Sequence, residues 1–386
     1  MNIIFVINSP FPYYAGGIET WLYNISSRLC QSHNVTIVAE AKTFYKEPFF
    51  HLNERIKVIN YKTLHSYSFF RKILRKQLRM FNNIGKVGKI TKILNNLTNT
   101  PIVEYYVIAL NTLWAATAVN KIRRKKDNVR FICSARGPHA EIASKNCSSL
   151  MKHYFNIEKE NLINADISLS NGYDTIDYFQ KRGIKTSLMK NGIDIKRFLI
   201  RYSRPLNEEM PINSINVVSV ATLLDIKGIR EIIAAIALLI DRSHRDIYLV
   251  LVGKGEQEKY KQQAVKLGIK DKVIFLGHRS DVVPYLQHAD VITCLSGGAG
   301  LSMSALESMA SGRPIIAWDT PVYQQFNTTC QTMELVEEKN IESLADGIEH
   351  IIDYPNLYKG MIHNACIEAK KYDWEIVNND LINYLK

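Results

Sequence analysis

The segment Cys294–Asp319 has the residue types of an anion-binding loop. Gly297, Gly298 and Gly300 separate a strand-like run from a short helix-like run. Glycines let backbone N–H groups approach a ligand closely, and the start of a helix favours negative charge, so the loop suits a phosphate or diphosphate. Glu307 lies just inside the helix, where its carboxylate can bind hydroxyl groups. The segment favours a nucleotide sugar as ligand, although the same glycines are compatible with an ordinary loop of an α/β fold.

Glycines follow three other strand-like runs in the second half of the chain. Lys227 directly precedes Gly228, and at such a strand–helix junction a lysine can reach into a cleft and neutralise a leaving phosphate. Gly253 and Gly255 follow the next run, and Gly277 ends the third. Each of these positions alone could be structural. Together with the first segment, they lie in the order expected of a nucleotide pocket.

Two segments of the first half also follow strand-like runs. Gly16 and Gly17 let the backbone approach a ligand at the carboxyl end of a sheet, where open α/β folds bind ligands, or they only make a turn. The segment Ser134–Glu141 contains Arg136 and His139. We expect it to face the cleft.

The elements that must position these residues alternate between strands and helices, which predicts parallel sheets covered by helices on both faces. The predicted strands are 3–8, 35–39, 102–108, 130–134, 167–170, 215–220, 247–252, 273–276 and 291–295. The predicted helices are 18–32, 113–124, 151–164, 173–182, 229–240, 256–267, 281–288 and 374–385.

A polar, proline-containing stretch at 202–216 suggests a boundary between two domains. We predict an α/β fold of two doubly wound domains facing across a cleft. Residues 1–195 form an N-terminal acceptor-side domain and residues 196–371 a donor-binding domain. A C-terminal helix at about 372–386 packs back on the first domain.

The composition is that of a soluble globular enzyme, with 46% hydrophobic and 22% charged residues among 386, and this excludes a disordered chain. Six scattered cysteines without metal-type spacing predict reduced thiols in a cytosolic protein. Met1–Ile7 lacks the basic leader of a secretion signal. No apolar run approaches the roughly 18 residues that span a bilayer. We therefore expect a protein that does not cross a membrane.

A basic window carries nearly as much charge as the whole chain, whose net charge is +12. Between Glu54 and Glu104 there are eleven basic residues and no acidic one. Within this window Phe69–Phe81 has apolar residues at near-helical spacing, and most gaps are basic. The basic residues there are Arg71, Lys72, Arg75, Lys76 and Arg79.

A basic amphipathic helix of this kind suits an anionic membrane surface, where each basic residue contributes about 1 kcal/mol. The alternative is a solvated helix whose apolar stripe packs on its own domain. Nucleic-acid binding is disfavoured, because the chain contains no recognition motif and its basic residues cluster in one place.

The chain resembles the retaining glycosyltransferases of family 4, of the bacterial surface-polysaccharide type, over nearly its whole length. That family has the two-domain GT-B architecture. The segments that carry the resemblance are Gly16–Glu19, Asn191–Asp194 with Phe198, Lys227-Gly228, Gly253–Gly255, Phe275–His278 and Gly300–Asp319. Two positions depart from the family pattern. Ala299 replaces the first of two glutamates, and Thr222 replaces an arginine that many members carry.

The resemblance implies donor-binding roles in both domains. Gly16 and Gly17 approach the diphosphate, Lys227 binds it, the backbone of Leu301, Ser302 and Met303 caps the phosphates, Glu307 binds the ribose hydroxyls, and the backbone of Gly277, His278 and Arg279 flanks the base. Thr222, Gly253, Gly255 and Gly300 complete the expected donor-binding set.

On the acceptor side, the resemblance implies that His139 lies near the reacting carbon and that Arg136 meets an acceptor phosphate. Neutral histidine is suited to proton transfer near pH 7. A histidine after a proline is equally common at a helix start or on the surface. The expected catalytic residues are His139, Lys227 and Glu307.

The expected reaction is hexosyl transfer from a nucleotide diphosphate sugar to a hydroxyl, with retention and through an oxocarbenium-like state. Lys227 and the helix start near Met303 stabilise the departing diphosphate. We expect no cofactor and no metal, because no Asp-x-Asp pair is placed to hold a divalent ion. The expected acceptor is a polyprenyl-diphosphate-linked glycan of surface polysaccharide assembly (O-antigen, capsule or lipopolysaccharide). The expected location is cytoplasmic, peripheral on the inner face of the cell membrane.

Two other functions remain open at this stage. A nucleotide-sugar epimerase of the same two-domain shape would alter the sugar without an acceptor. A non-catalytic sugar-nucleotide-binding subunit is suggested by Ala299 and Thr222. A phosphorylase is disfavoured, because it would need a lysine-bound pyridoxal phosphate and a much longer chain.

Overall fold

The computed structural model describes residues 1–14, 16–41, 47–62, 77–136, 149–297 and 300–386, with only the backbone for 77–84 and 149–152. The chain divides into two compact units. One comprises Met1–Asn191 with Trp374–Lys386, and the other comprises Gly192–Asp373. The predicted domains ended at residues 195 and 371, a few residues from these bounds.

The first unit contains a parallel sheet, which has seven strands in the described residues, in the order β3-β2-β1-β4-β5-β6-β7. The strands are β1 (Asn2–Val6), β2 (Asn34–Glu40), β3 (Ile56–Tyr61), β4 (Tyr105–Ala109), β5 (Val129–Ala135), β6 (Ile167–Ser170) and β7 (Ser187–Leu188). The helices are α1 (Gly17–Leu29), α2 (Gln77–Leu97), α3 (Trp114–Arg123), α4 (Ser149–Asn164) and α5 (Tyr173–Gln180).

The second unit contains a six-stranded parallel sheet in the order β10-β9-β8-β11-β12-β13, counted over the described part of the chain. The strands are β8 (Ile215–Val220), β9 (Ile247–Val252), β10 (Val273–Gly277), β11 (Val291–Cys294), β12 (Ile315–Trp318) and β13 (Glu334–Val336). The helices are α6 (Ile195–Leu199), α7 (Ile229–Ser243), α8 (Glu258–Lys266), α9 (Val283–Gln287), α10 (Met303–Ala310), α11 (Pro321–Gln324), α12 (Ile341–Asp353) and α13 (Lys359–Lys370).

The last helix, α14 (Trp374–Leu385), belongs to the first unit. Glu375 at its start forms an ion pair with Arg28 of α1 at 3.1 Å. At its end the Tyr384 hydroxyl donates to the backbone oxygen of Leu188 at 2.9 Å. These contacts hold the last residues of the chain against the first unit.

Continuous apolar runs explain why the central strands are buried on both faces. All residues of β11 are buried, as are all of β12, and β9 is buried except at Tyr248. Burying a Val, Ile or Leu side chain contributes about 1.5–3 kcal/mol, so such strands are stable only between two helical layers. The predicted α/β class with two doubly wound sheets is confirmed.

Strand bounds differ from the predictions mainly in the first half. The predicted strand 102–108 begins only at Tyr105, because Ile102 is 97% exposed in a turn after Pro101. The sequence did not predict β3, β7, β13, α6, α11, α12 or α13. None of the helices in the described residues is both long and apolar enough to cross a membrane.

Candidate active site

The turn that carries Lys227 is fixed at the carboxyl end of β8. Asp225–Lys227 form one 3₁₀ turn before α7. The Asp225 carboxylate accepts hydrogen bonds from Lys259 at 2.9 Å, from the Tyr260 hydroxyl at 2.8 Å and from Arg230 at 3.0 Å. These partners lower the pKa of Asp225 to about 2. The turn is therefore held against α7 and α8 from outside.

The same turn also packs against the end of β11. Gly228 has φ of 68°, and a Cβ there would lie 2.5 Å from the Cβ of Leu295. The Gly297 N–H donates to the backbone oxygen of Ile226 at 2.8 Å. Glycine is thus required at 228 by both conformation and space.

Lys227 donates from Nζ to Oγ of Ser296 at 2.7 Å. Burial lowers the pKa of the Lys227 amine, against a smaller opposing effect of Cys294. The Ser296 N–H in turn donates to the hydroxyl of Tyr323 at 2.9 Å, and the Tyr323 side chain is buried. A cation that is largely removed from water therefore lies beside the loop that leads into α10.

Helix α10 begins without a side-chain cap. Ser302 precedes it, but its hydroxyl pairs with that of Ser304 at 2.9 Å and caps no amide of the first turn within the described residues. Gly300 has φ of 86°, so the loop turns sharply just before the helix. The helix ends at Ala310, and Gly312 follows with φ of 74°, the usual left-handed stop. The first-turn amides can bind an anion.

Glu307 lies on α10 with an unusual proton affinity. Burial raises its pKa to about 7, opposed by Arg197 and supported by Asp281. Arg197 itself forms an ion pair with Asp281 at 2.5 Å, so its charge is shared. Because the carboxylate is desolvated, hydroxyl groups of a ligand would be favourable partners for it.

Gly253 and Gly255 permit close approach of two loops. A Cβ on Gly253 would lie 1.8 Å from the backbone oxygen of Ala221, and one on Gly255 would lie 2.8 Å from Leu223. The two glycines let the loop after β9 pack on the loop that precedes the Lys227 turn. This packing accounts for both glycines, and their predicted donor contact stays a prediction. Thr222 lies in the same loop, where its backbone oxygen accepts from Leu224 at 2.8 Å.

The end of β10 turns through Gly277, which has φ of 71°. His278 is exposed. The guanidinium of Arg279 forms an ion pair with Glu209 at 2.5 Å and donates to the Tyr285 hydroxyl at 3.0 Å. The Arg279 side chain therefore links this loop to the segment before β8. The predicted contact of this loop with a nucleotide base involves its backbone and not this side chain.

In the first unit, the glycine pair lies at the start of α1. A Cβ on Gly16 would lie 2.6 Å from Oε2 of Glu19, whereas Gly17 has open space around its Cα. Glu19 is buried and accepts from the Ser9 hydroxyl at 2.5 Å. Gly16 thus admits the Glu19 carboxylate, and Gly17 lies at the amino end of the helix.

Arg136 follows the carboxyl end of β5 and contacts two side chains of the first unit. Its guanidinium lies 4.1 Å from the ring centroid of Trp21, and Nη1 donates to Oδ1 of Asn191 at 3.0 Å. Nε and Nη2 are buried and have no hydrogen-bond partner among the described residues. Burial lowers the pKa of Arg136 to about 9. Two oriented donors thus lack an acceptor, which is the state expected of an anion-binding group.

Known proteins resemble this chain in sequence and in fold. Residues 207–366 match the model of a family described as Glycosyl transferases group 1. The N,N'-diacetylbacillosaminyl-diphospho-undecaprenol alpha-1,3-N-acetylgalactosaminyltransferase of Campylobacter jejuni is 27% identical over 192 residues, 48% of this chain and 50% of that protein. The chain spans about half the length of the curated relatives it matches first.

Two solved structures are similar over the whole chain. Sucrose-phosphate synthase from Thermosynechococcus elongatus has a TM-score of 0.79 at 18% identity, covering 100% of this chain and 98% of that one. Anabaena HepE, solved in complex with UDP, has a TM-score of 0.75 at 16% identity, covering 100% and 99%. The predicted GT-B fold is confirmed. The matches support a group 1 glycosyltransferase.

The family match covers the candidate donor residues of the second unit, including Lys227, Ser296 and Glu307, whereas Gly16 and Gly17 lie outside it. Several predicted residues lie outside those that the structure describes. These are His139, Ala299, Arg71, Lys72, Arg75 and Lys76, and for Arg79 only the backbone is described. Within the described ranges no group of three potential metal ligands occurs.

Sequence reasoning missed three neighbours of the candidate residues, which are Ser296 beside Lys227, Arg197 near Glu307 and Trp21 beside Arg136. Ser296 was passed over as one of several small residues in the loop. Arg197 lies far from Glu307 in sequence, and Trp21 lies within the predicted helix 18–32 without any signal for a contact with Arg136. No local sequence pattern predicts these three contacts. Arg197 does lie in the segment Asn191–Phe198, which carries part of the family resemblance, and its positive charge was a possible signal of a functional role.

Proposed function

We propose that the chain is a retaining, metal-independent hexosyltransferase that uses a nucleotide diphosphate sugar. The observation that carries this proposal is the largely buried Lys227 ammonium, held 2.7 Å from Ser296 beside the loop that leads to the uncapped start of α10. The family match over the same residues supports it. UDP is the first nucleotide to test, because the Anabaena neighbour was solved with UDP.

Lys227 and α10 act on the leaving group. The bond between the anomeric carbon and the diphosphate oxygen breaks, and negative charge grows on the diphosphate. The Lys227 ammonium, the amides of Ser302 and Met303 and the helix dipole stabilise that charge. The acceptor hydroxyl forms the new bond on the same face of the sugar, and its proton passes to the departing diphosphate oxygen.

Glu307 binds the ribose in this proposal. As a carboxylate it accepts hydrogen bonds from two vicinal hydroxyls, and these replace the water lost on burial. Gly277 and the backbone of His278 and Arg279 flank the base.

For the acceptor we propose a glycan linked to a polyprenyl diphosphate. Nε and Nη2 of Arg136, which have no hydrogen-bond partner in the part of the chain that the structure describes, form one edge of a guanidinium, the geometry that binds a phosphate through two parallel hydrogen bonds. The Campylobacter relative is named for a diphospho-undecaprenol acceptor, which supports the same class here. His139 is proposed to lie near the reacting carbon. The pathway would then be assembly of a cell-surface polysaccharide.

We further propose that the basic segment 69–81 brings the enzyme to the inner face of the membrane. Such binding would deliver a lipid-linked acceptor to the site. The net charge of +12 agrees in sign with an anionic lipid surface.

The test is transfer by the purified full chain. We expect product from a nucleotide sugar plus a diphosphate-linked acceptor, in the presence of EDTA, and a loss of about 100-fold or more in kcat for Lys227→Ala, as for removal of one preorganised charge stabiliser. Lys266→Ala, on the surface of α8, is the matched control. Conversion of the donor without acceptor would indicate an epimerase, and tight donor binding without turnover would indicate a binding subunit. Either result would refute the transferase.

A further inference from the structure

Three contacts join the Lys227 turn to the end of β11, and one of them is made by a side chain. Gly228 packs without a Cβ against Leu295, the Gly297 N–H donates to the backbone oxygen of Ile226, and Lys227 Nζ donates to Ser296 Oγ. The first two fix the backbone. Only the third determines where the lysine amine points, because a lysine side chain has four rotatable bonds beyond the backbone.

Ser296 is itself held in place. It is 7% exposed, and its N–H donates to the Tyr323 hydroxyl at 2.9 Å. The Tyr323 ring is 1% exposed and therefore fixed in the core of the second unit. The chain of contacts Tyr323–Ser296–Lys227 thus runs from a rigid core ring to the amine.

The charged and titratable groups around the amine leave Ser296 as its polar partner in the described residues. Cys294 is a buried thiol whose pKa is raised to about 11, so it is neutral at pH 7. Asp225, two residues before the lysine, is engaged by Lys259, Tyr260 and Arg230. Glu338 approaches the loop at Gly297, where its Oε1 lies 3.2 Å from the Cβ position.

We propose that Ser296 is a positioning residue that fixes the Lys227 ammonium for the leaving diphosphate and keeps it protonated. This inference rests on the proposed function. A hydroxyl oxygen 2.7 Å from a desolvated ammonium stabilises the charged form, and its loss leaves a buried cation without that partner.

The experiment compares Ser296→Ala and Ser296→Thr in the full chain, with kcat/KM for the nucleotide sugar measured from pH 6 to pH 10. A hydrogen bond to a charged group contributes about 1.5–3 kcal/mol, so we expect Ser296→Ala to lose about 10- to 100-fold. The lysine must be protonated to act, and without the hydroxyl its pKa falls further. The alkaline limb of the Ala variant should therefore move to lower pH. The Thr variant, which keeps the hydroxyl, should stay near wild type in both respects.

Ser243→Ala is the matched control, because its hydroxyl also donates a 2.7 Å hydrogen bond, to the backbone oxygen of Leu239, and lies at the far end of α7. It should leave the pH profile unchanged. A Ser296→Ala enzyme with wild-type kcat/KM, or with a lower value and an unshifted alkaline limb, would overturn the positioning role.

If Lys227→Ala is fully active, the proposed function itself fails. If Lys227→Ala is inactive and Ser296→Ala is normal, only this inference fails. Thermal unfolding of each variant shows whether it folds. If Ser296→Ala does not fold, the positioning role is tested by the kcat/KM and the alkaline limb of Ser296→Thr, which should both stay near wild type.

Discussion

At the scale of single residues, the candidate site contains ionisable groups whose proton affinities differ from their ordinary values. Burial lowers the pKa of Lys227 and raises that of Glu307 to about 7. Each shift disfavours the charged form, which is the form that a diphosphate or a ribose would stabilise. Perturbed groups of this kind are concentrated at functional sites. A ligand with negative charge near Lys227, or with hydroxyl groups near Glu307, would therefore favour the charged forms of these two residues.

Glu307 gives a prediction on donor binding. The Glu307 carboxylate accepts hydrogen bonds from the ribose hydroxyls, whereas the protonated acid is a weaker acceptor. KM for the donor should therefore rise as pH falls below about 7. The measurement is donor KM between pH 5.5 and pH 8.5. Glu307→Gln should have a raised KM with a flat profile over this range. A wild-type profile that is equally flat would contradict the assignment.

The same group gives a prediction on stability. The folded protein holds the Glu307 proton up to about pH 7, whereas the unfolded chain releases it near pH 4.5, so stability is lost as pH rises through that window. Glu307→Gln should therefore raise the free energy of unfolding at pH 8, by about 1–3 kcal/mol. The difference should disappear near pH 4. Denaturant titration at both pH values checks this, and a less stable variant at pH 8 would be the contrary result.

At the scale of elements, turns with special conformations hold the site together. Gly228 lies at the start of α7 and packs on Leu295, while Gly253 packs on Ala221. These glycines build the loops at the carboxyl ends of β8, β9 and β11. The sequence marks them as loop glycines but does not say which ones approach other backbone.

Gly228→Ala and Gly312→Ala form a matched pair. Both positions have φ near 70°, at 68° and 74°, but only residue 228 has a neighbour within 4 Å of the added Cβ. A non-glycine residue there costs about 1–2 kcal/mol, and overpacking adds about 1–3 kcal/mol. We expect Gly228→Ala to lose clearly more free energy of unfolding than Gly312→Ala. Equal losses would show that the Leu295 contact is not tight.

Most central elements could be predicted, because the strands of a doubly wound sheet are continuous apolar runs. Strand β8 was predicted with the bounds observed, and β9 likewise. By contrast, β3 lies inside the basic window and is buried only at its two end residues, Ile56 and Tyr61, and β7 has only two residues. The pairing of Lys227 with Ser296 could not be predicted, because it joins positions 69 residues apart. Such contacts are set by strand order and register.

At the scale of the whole molecule, charge distribution and domain division are the informative features. Each unit has its own parallel sheet and core. The basic window lies entirely in the first unit, and its expected amphipathic helix at 69–81 lies mostly outside the described residues. The polar stretch at 202–216, which suggested a boundary from the sequence, lies within the second unit. The membrane role of the basic segment stays a prediction.

Liposome flotation tests that role. The full chain should float with vesicles that contain anionic lipid, and reversal of charge at Arg71, Lys72, Arg75 and Lys76 should lower the bound fraction several-fold, because each basic residue contributes about 1 kcal/mol. Raising the salt concentration should also lower the bound fraction of the wild-type chain, because salt screens the attraction between charges. Reversal of Lys261, Lys266 and Lys270 in the second unit is the control. Equal flotation of the two variants would argue for a solvated helix.

The central claim is that the second unit binds a nucleotide diphosphate at the carboxyl ends of its strands. The most direct measurement is a crystal structure of the full chain soaked with UDP or GDP. We expect the diphosphate within hydrogen-bond distance of Lys227 Nζ and the Met303 amide, with the ribose hydroxyls on Glu307. A nucleotide bound elsewhere, with Lys227 still paired only with Ser296, would contradict the account.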